Sequence, residues 1–323
     1  MALSQTADDL VPVTLDAVTD RQSEGRGRPA KAISMQARGL RSRLIGAADL
    51  AAIAELLHEG FPQRSRQHFM AVLDTLARAP EQPGQPRFGY VLEAGGVPWG
   101  VLLTIVTPSP PGSSAPFRCN VFCWYVRPEY RLFGGILASR LMDAPDRTIV
   151  NVSPAPYTWK TIAAQGFCAL SNGVFAGIPC AAPRSRSGEL IDVRRQGVKP
   201  TGISGAEWTL LLDHAGFGCL SLVCRDGPDT HPFIFRRRRV ARLPIPCAQL
   251  IYCRDIDALA AFSRSIGWFL MSRGMPWVLV ASNGPIKGVP GKYFDGRNPM
   301  YFKGPDRPRL GDLAYTEAAL FGL

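Results

Sequence analysis

One stretch, residues 119–142, limits what this chain can fold into more than any other. An apolar and aromatic run from Cys119 to Val126 meets Arg127-Pro128. Proline has no amide donor and pushes the residue before it out of the helical region, so the strand ends there. Arg131, Gly134 and Gly135 follow, and then a pattern with apolar residues at helical spacing through Leu141. A strand that passes through a glycine-bearing turn into a helix gathers unpaired N–H groups and the positive end of the helix dipole at one spot. Such a spot binds phosphate with few cationic side chains.

The rest of the chain repeats the order of elements around this segment. Phe88-Gly89 and Phe217-Gly218 each open a strand, a glycine turn and a second strand. The 247–253 run parallels the 119–124 run. A helix ending Phe-Leu-Met271 parallels one ending Arg-Leu-Met142, and 277–282 parallels 148–153. The offset holds near ~129 residues throughout, the mark of an internal duplication. At that offset Arg131 falls on Ala260 and Gly134 on Ser263, so the second copy lacks the phosphate-binding residues.

A length of 323 residues with 46% hydrophobic and 20% charged residues suits two cores of ordinary size. Residues 1–38 lack periodicity and are expected to be a disordered extension. The first domain is expected over 39–180. A linker rich in Arg, Gly, Ser and Pro follows over 181–204, and a second domain over 205–323. In the first, residues 44–79 read as two helices broken at Pro62, with Leu50, Ile53, Ala54, Leu57 and Phe61 on one face. Residues 88–93 and 99–107 read as a hairpin.

The eight cysteines show no Cys-x-x-Cys or other metal-ligand spacing and are expected to be buried thiols; no metal is expected. A net charge of +11 suits an anionic partner without choosing one. No apolar run reaches the ~18 residues that span a bilayer, and the acidic N-terminus is unlike a signal peptide. A cytoplasmic protein is expected.

The order Val126-x-Pro128-x-x-Arg131-x-x-Gly134 resembles the pyrophosphate-binding motif of the GNAT superfamily of acyl-CoA-dependent N-acyltransferases. The strand at 148–152, the helix at 157–165 and Gly166-Phe167 follow as they do in that superfamily. The resemblance covers roughly residues 40–180 and extends to the second half as a degenerate copy. It implies an α+β fold of two GNAT-like domains, each a mixed, mostly antiparallel twisted sheet flanked by helices. It also implies acyl-CoA (acetyl-CoA or longer) as co-substrate, held by Trp124, Tyr125 and Val126 along the strand. Arg131, Leu132, Phe133, Gly134, Gly135 and Ile136 would hold it at the turn. The Val126 amide would be the oxyanion donor, and the acyl group would pass to an amine on a small molecule or a protein.

This sequence departs from the motif at three places. Ile136 stands where the superfamily has a small residue, Ile162 where a thiol-protonating tyrosine often lies, and Ala155 where an asparagine is common. Proton transfer would therefore fall to another group. Glu59 and Tyr157 are the candidates put forward, beside His58 and His68. The second half would shape the acceptor cleft or complete the fold.

A second function remains open on sequence: a catalytically inactive protein of this fold that contacts nucleic acid or another polyanion through its basic C-terminal half. Its Arg236-Arg-Arg-Arg239 run is expected on a strand, with alternate residues on opposite faces. It is the less favoured reading, since no recognition helix or aromatic RNA-binding signature accompanies the run. The aromatic and charged 293–303 stretch reads as a loop.

Overall fold

The computed structural model describes residues 39–186, 188–239 and 245–322; the expected 1–38 extension lies outside the described residues. The chain opens with β1 (Arg41–Leu44), α1 (Leu50–Gly60) and α2 (Arg66–Arg78). Ile53, Ala54, Leu56 and Leu57 of α1 and Phe69, Val72, Leu73 and Leu76 of α2 are buried, as apolar residues on one helical face must be. The Ser65 hydroxyl accepts from the His68 amide and caps α2. β2 (Gly89–Ala94) and β3 (Val97–Pro108) form the expected hairpin, turning through Gly95 and Gly96 at positive φ. Next come β4 (Phe117–Val126), α3 (Gly134–Met142), β5 (Arg147–Asn151), α4 (Trp159–Ala164) and β6 (Cys168–Gly177).

The second half repeats the pattern with β7 (Glu189–Asp192), α5 (Gly205–Gly216), β8 (Leu220–Asp226), β9 (Asp229–Arg238) and β10 (Cys247–Cys253). It continues through α6 (Ile256–Ala261), α7 (Ser263–Met271), β11 (Val278–Ser282), β12 (Gly291–Lys303) and α8 (Glu317–Leu320). Helices α3 and α7 begin at Gly134 and Ser263, one sequence repeat apart. No helix among the described residues is long and apolar enough to cross a membrane.

The strands of the described residues form one 12-stranded sheet in the order β1-β2-β3-β4-β5-β12-β6-β11-β10-β9-β8-β7. Only β4–β5 and β10–β11 are parallel; every other neighbouring pair is antiparallel. The fold is α+β, a mixed and mostly antiparallel sheet flanked by helices.

Two sequence expectations change here. The 293–303 stretch is not a loop: it lies in β12, at the centre of the sheet between β5 and β6. The 181–204 stretch is not only a linker, because it contains the edge strand β7.

Position in the sheet also interlocks the halves. β12, late in the chain, pairs with β5 and β6, while β6 pairs with β11. One core cluster mixes Val150, Val152 and Leu170 with Leu211, Ile251, Leu313 and Ala319. The expected buried thiols are present at Cys119, Cys219, Cys224, Cys247 and Cys253, whereas Cys168 is exposed.

Candidate functional site

Strands β4 and β5 run together only over Phe117–Asn120 and Arg147–Val150. Beyond that point they part, and the β5-facing edge of β4 makes no hydrogen bond among the described residues. A bulge sets the parting. The β3–β4 register slips between Phe122 and Tyr125, and Cys123 takes a left-handed conformation (φ 50°) that a non-glycine residue adopts only under constraint. The bulge keeps Phe122 and Cys123 on the α1–α2 face and sends Trp124 and Val126 to the α3 face. The Arg127 amide donates to Trp99 O of β3 (2.9 Å). Alternation along the strand therefore aims the Val126 N–H at the open side.

On the α3 face a narrow crevice of about 20 Å³ is lined by Val121, Trp124, Leu141, Asn151, Ile162 and Phe167, among others. At its mouth the chain winds through a 3-10 turn, Pro128–Phe133, straight into α3. The Gly134 amide is spent within this turn, donating to Arg131 O. Gly134 is buried beneath Trp124, and a Cβ there would meet only ordinary contacts at 3.6 Å or more. Gly135 faces open space, and a Cβ added there would meet nothing within 4 Å. Neither glycine has a positive φ, so neither backbone strain nor packing requires them. Each costs about 1 kcal/mol against alanine in a helix. At Gly135, where the backbone is open to solvent, close approach by something outside the chain is a reason for the missing side chain. Arg131 stands beside it, exposed and without a side-chain partner among the described residues, and Leu132 and Ile136 flank it as exposed apolar side chains.

The α1–α2 face holds the polar groups. Glu59, at the end of α1, accepts from the Tyr125 hydroxyl (3.0 Å) and from Arg127 (2.8 Å). The hydrogen bonds from Arg127 hold its carboxyl below the ordinary range, which makes it a poor base. Gly60 is required, since a Cβ there would lie 2.4 Å from the Tyr125 ring. Tyr157 is 74% exposed, in the 3-10 turn that precedes α4, and its hydroxyl has no polar contact among the described residues. The His58 ring contacts Arg64 O (2.7 Å) and pins the α1–α2 connection. His68 is half-buried, and burial lowers its pKa.

A residue without a sequence signal occupies the apex of the parting. Glu317, in α8 at the far end of the chain, is 0% exposed. Its carboxyl accepts from Asn120 Nδ2 on β4 (2.6 Å) and from Ser153 Oγ just beyond β5 (2.5 Å), so it bridges the two arms. Burial pushes its pKa up to about 7, against the two hydrogen bonds that oppose the shift. Ser153 is itself exposed and offers a path from solvent to this carboxyl.

The second half holds the tail in place. Arg118 on β4 pairs with Asp312 (3.2 Å) and donates to Ala314 O. The Tyr315 amide donates to His214 Nε2 (3.1 Å), and its hydroxyl to Asp213 (2.7 Å). His214 is buried and neutral, its pKa lowered to about 4 by burial.

The second copy of the parting is closed by the chain itself. Strands β10 and β11 pair only at Ala248–Gln249 and Val278–Leu279. The freed edge of β10 is then taken by residues 311–313. Cys253 N–H donates to Gly311 O (2.8 Å) and Leu313 N–H to Ile251 O (2.7 Å). Ala260 and Ser263 stand where Arg131 and Gly134 do in the first copy, as the repeat offset requires.

The four-arginine run is mostly engaged within the protein. Arg236 donates to Phe217 O and Ala319 O (2.7 Å each), and Arg238 to Gln249 (2.9 Å). Arg237 and Arg239 lie on the exposed face, the alternation expected of a strand.

No protein-family model and no curated protein matches the sequence. Solved structures do match in shape. A GCN5-related N-acetyltransferase of Anabaena variabilis aligns over 82% of this chain and 72% of its own, with TM-score 0.52 and 10% identity. A Pyrococcus horikoshii protein assigned as an acetyltransferase aligns over 86% and 94%, with TM-score 0.51 and 11% identity. A conserved Enterococcus faecalis protein of unknown function aligns over 85% and 73%, with TM-score 0.50 and 12% identity. With its parted parallel strands, its bulged β4 and the turn into α3, the chain has the GNAT fold.

Proposed function

We propose that the protein is an acyl-CoA-dependent N-acyltransferase with one active site, in the first half. The observation that carries this reading is the contrast between the two partings. The edge of β4 is open and faces bare helix-start glycines beside an unpaired arginine, whereas the edge of β10 is filled by residues 311–313. The solved structures of the same fold include a GCN5-related N-acetyltransferase, which supports the same class.

In this reading Gly135 and Arg131 receive the pyrophosphate, and the thioester lies along Trp124, Tyr125 and Val126. The co-substrate supplies an activated acyl carbon. Leu132, Phe133, Gly134 and Ile136 shape the turn that receives it. The crevice on the α3 face must widen by side-chain movement to admit the pantetheine arm.

Glu317, rather than Glu59 or Tyr157, then removes the proton. Its carboxylate takes one proton from the acceptor ammonium through the Ser153 hydroxyl, which accepts and donates in the same step. A pKa near the working pH is what a general base needs. The neutral amine attacks the acyl carbon, forming the C–N bond, and the Val126 N–H donates to the oxygen as negative charge develops there. The C–S bond breaks, the thiolate takes up the proton shed by the new amide nitrogen, and Glu317 returns its proton to solvent. The products are an amide, free coenzyme A thiol and one proton.

The test is release of coenzyme A thiol from acetyl-CoA and longer acyl-CoAs across an amine panel. Arg131→Ala is expected to raise the KM for acyl-CoA about tenfold, the loss of one charge-assisted contact. Turnover by wild type that is indifferent to this change sinks the site assignment.

A further inference from the structure

The α1–α2 connection places a guanidinium near Cys123 of β4 that no carboxylate among the described residues neutralises. Other arginines with restricted exposure have a carboxylate or amide oxygen: Arg43 with Asp49 and Glu93, Arg118 with Asp312, Arg127 with Glu59, Arg254 with Glu207 and Arg238 with Gln249. Arg64 has neither. It is half-buried, its Nε is enclosed without a hydrogen-bond partner, and it makes no ion pair among the described residues. Desolvating a charge without a counter-charge is unfavourable, so a site of this kind is completed by a ligand.

The surroundings give the ligand a direction. His68 Nε2, next to Arg64, is likewise enclosed and unpartnered. Cys123, on the bulge of β4, lies close enough to both Arg64 and Glu317 to feel their charges, and it packs on the same face as Phe61 and Tyr125. The wall carries two separate polar groups. Arg64 and His68 form one, and Glu317 with the unpartnered Asn120 Oδ1 forms the other. Cys123 and the rings of Phe61 and Tyr125, 6.3 Å apart, supply the apolar part of the same wall. Two separate charged groups of opposite sign on a half-apolar wall match a ligand with an ammonium at one end, an anion at the other and an alkyl spacer between.

We propose that the acceptor is an amine bearing a carboxylate or phosphate several bonds away, with Arg64 anchoring the anion while the amine reaches Ser153 and Glu317. This rests on the acyltransferase reading for the amine end alone; the anion site stands on Arg64. Orientation follows, since a fixed anion holds the amine at the thioester rather than letting it enter in either sense.

The experiment compares butylamine, 4-aminobutanoate and 3-aminopropyl phosphate as acceptors by thiol release, with wild type, Arg64→Gln and Arg64→Lys. Wild type is expected to favour at least one anionic amine over butylamine by about 10- to 100-fold in kcat/KM, the size of one charge-assisted hydrogen bond. The two anionic arms decide between carboxylate and phosphate. Arg64→Gln is expected to bring the ratio close to one, and Arg64→Lys to keep part of it. A wild-type ratio near one, or a ratio that survives Arg64→Gln, overturns the proposal. Calorimetry with the same three compounds and coenzyme A present separates this from the reaction itself. If no amine turns over, the acyltransferase reading fails. Binding of an anionic amine by wild type and not by Arg64→Gln still upholds the anion site, and equal binding or none by both proteins refutes it.

Discussion

Replacing Glu317 by glutamine tests the buried carboxyl through two independent readouts. Glutamine is nearly isosteric, and its carbonyl can accept from Asn120 while its amide donates to Ser153, so both arms of the bridge survive. What changes is the proton. In the folded wild type the pKa is raised from 4.5 to about 7, so the folded state holds a proton that the unfolded state has lost. The stability that this carboxyl contributes in its neutral form is fully present below pH ~4.5 and is lost as pH rises through about 7. The shift corresponds to about 3 kcal/mol across that window. Glutamine has no such dependence. Urea unfolding of both proteins at pH 5 and pH 8 should therefore show the variant gaining about 3 kcal/mol on wild type at the higher pH. Taking the difference between the proteins cancels His214, which acts in the opposite direction. Its folded pKa is lowered to about 4, so its contribution is lost as pH falls from 6.5 toward 4. In the second readout the variant should lose roughly 10²- to 10⁴-fold in kcat/KM, the range of a missing general base. It should also lose the rise of wild-type rate between pH 6 and 8. A stability difference that does not move with pH refutes the buried-carboxyl argument. A variant with wild-type rates refutes the role of Glu317 as base.

Other consequences can be checked more simply. Calorimetry with coenzyme A should saturate at one equivalent per chain, because the β10 edge is already paired; two equivalents would remove the single-site reading. Gly60→Ala forces the Tyr125 ring away from a contact of 2.4 Å, and overpacking of this kind should cost about 1–3 kcal/mol in unfolding experiments and disturb the Glu59–Arg127–Tyr125 cluster. A chain cut after residue 180 should fail to fold alone. It would leave β6 and β5 without β12 between them, and native-like circular dichroism with cooperative melting would contradict this.

Local chemistry made much of the first half legible. The β2–β3 hairpin follows from Gly95-Gly96 between apolar runs, and α1 from the spacing of Ile53, Ala54 and Leu57. The glycine turn into α3 was visible from Pro128 and Gly134 alone. Glu317 was not visible. Its partners Asn120 and Ser153 lie 197 and 164 residues earlier, and no local pattern marks a glutamate that the fold will bury. Arg64 was equally silent, because an arginine in a helix connection looks solvated until the strand beneath it is known. Strand β12 was hidden by its own turn-formers. Gly296 and Asn298 take positive φ in the irregularity between Asp295 and Met300, and the strand resumes beyond them. Tyr157 and Glu59 drew notice by residue type, yet one faces solvent and the other is committed to Arg127.

The closed edge of β10 has a use beyond closure. Residues 311–313 are clamped there, and Glu317 follows within a single turn of chain. An edge that in the first copy is free to receive an extended molecule has, in the second, become the bracket on which a distant carboxyl is mounted. In the proposed mechanism Ile251 and Tyr252, which hold residues 311–313, then help to aim the Glu317 carboxyl at Ser153. Substitutions there would register as errors in aim, with folding intact and the proton acceptor displaced from the two arms it should span.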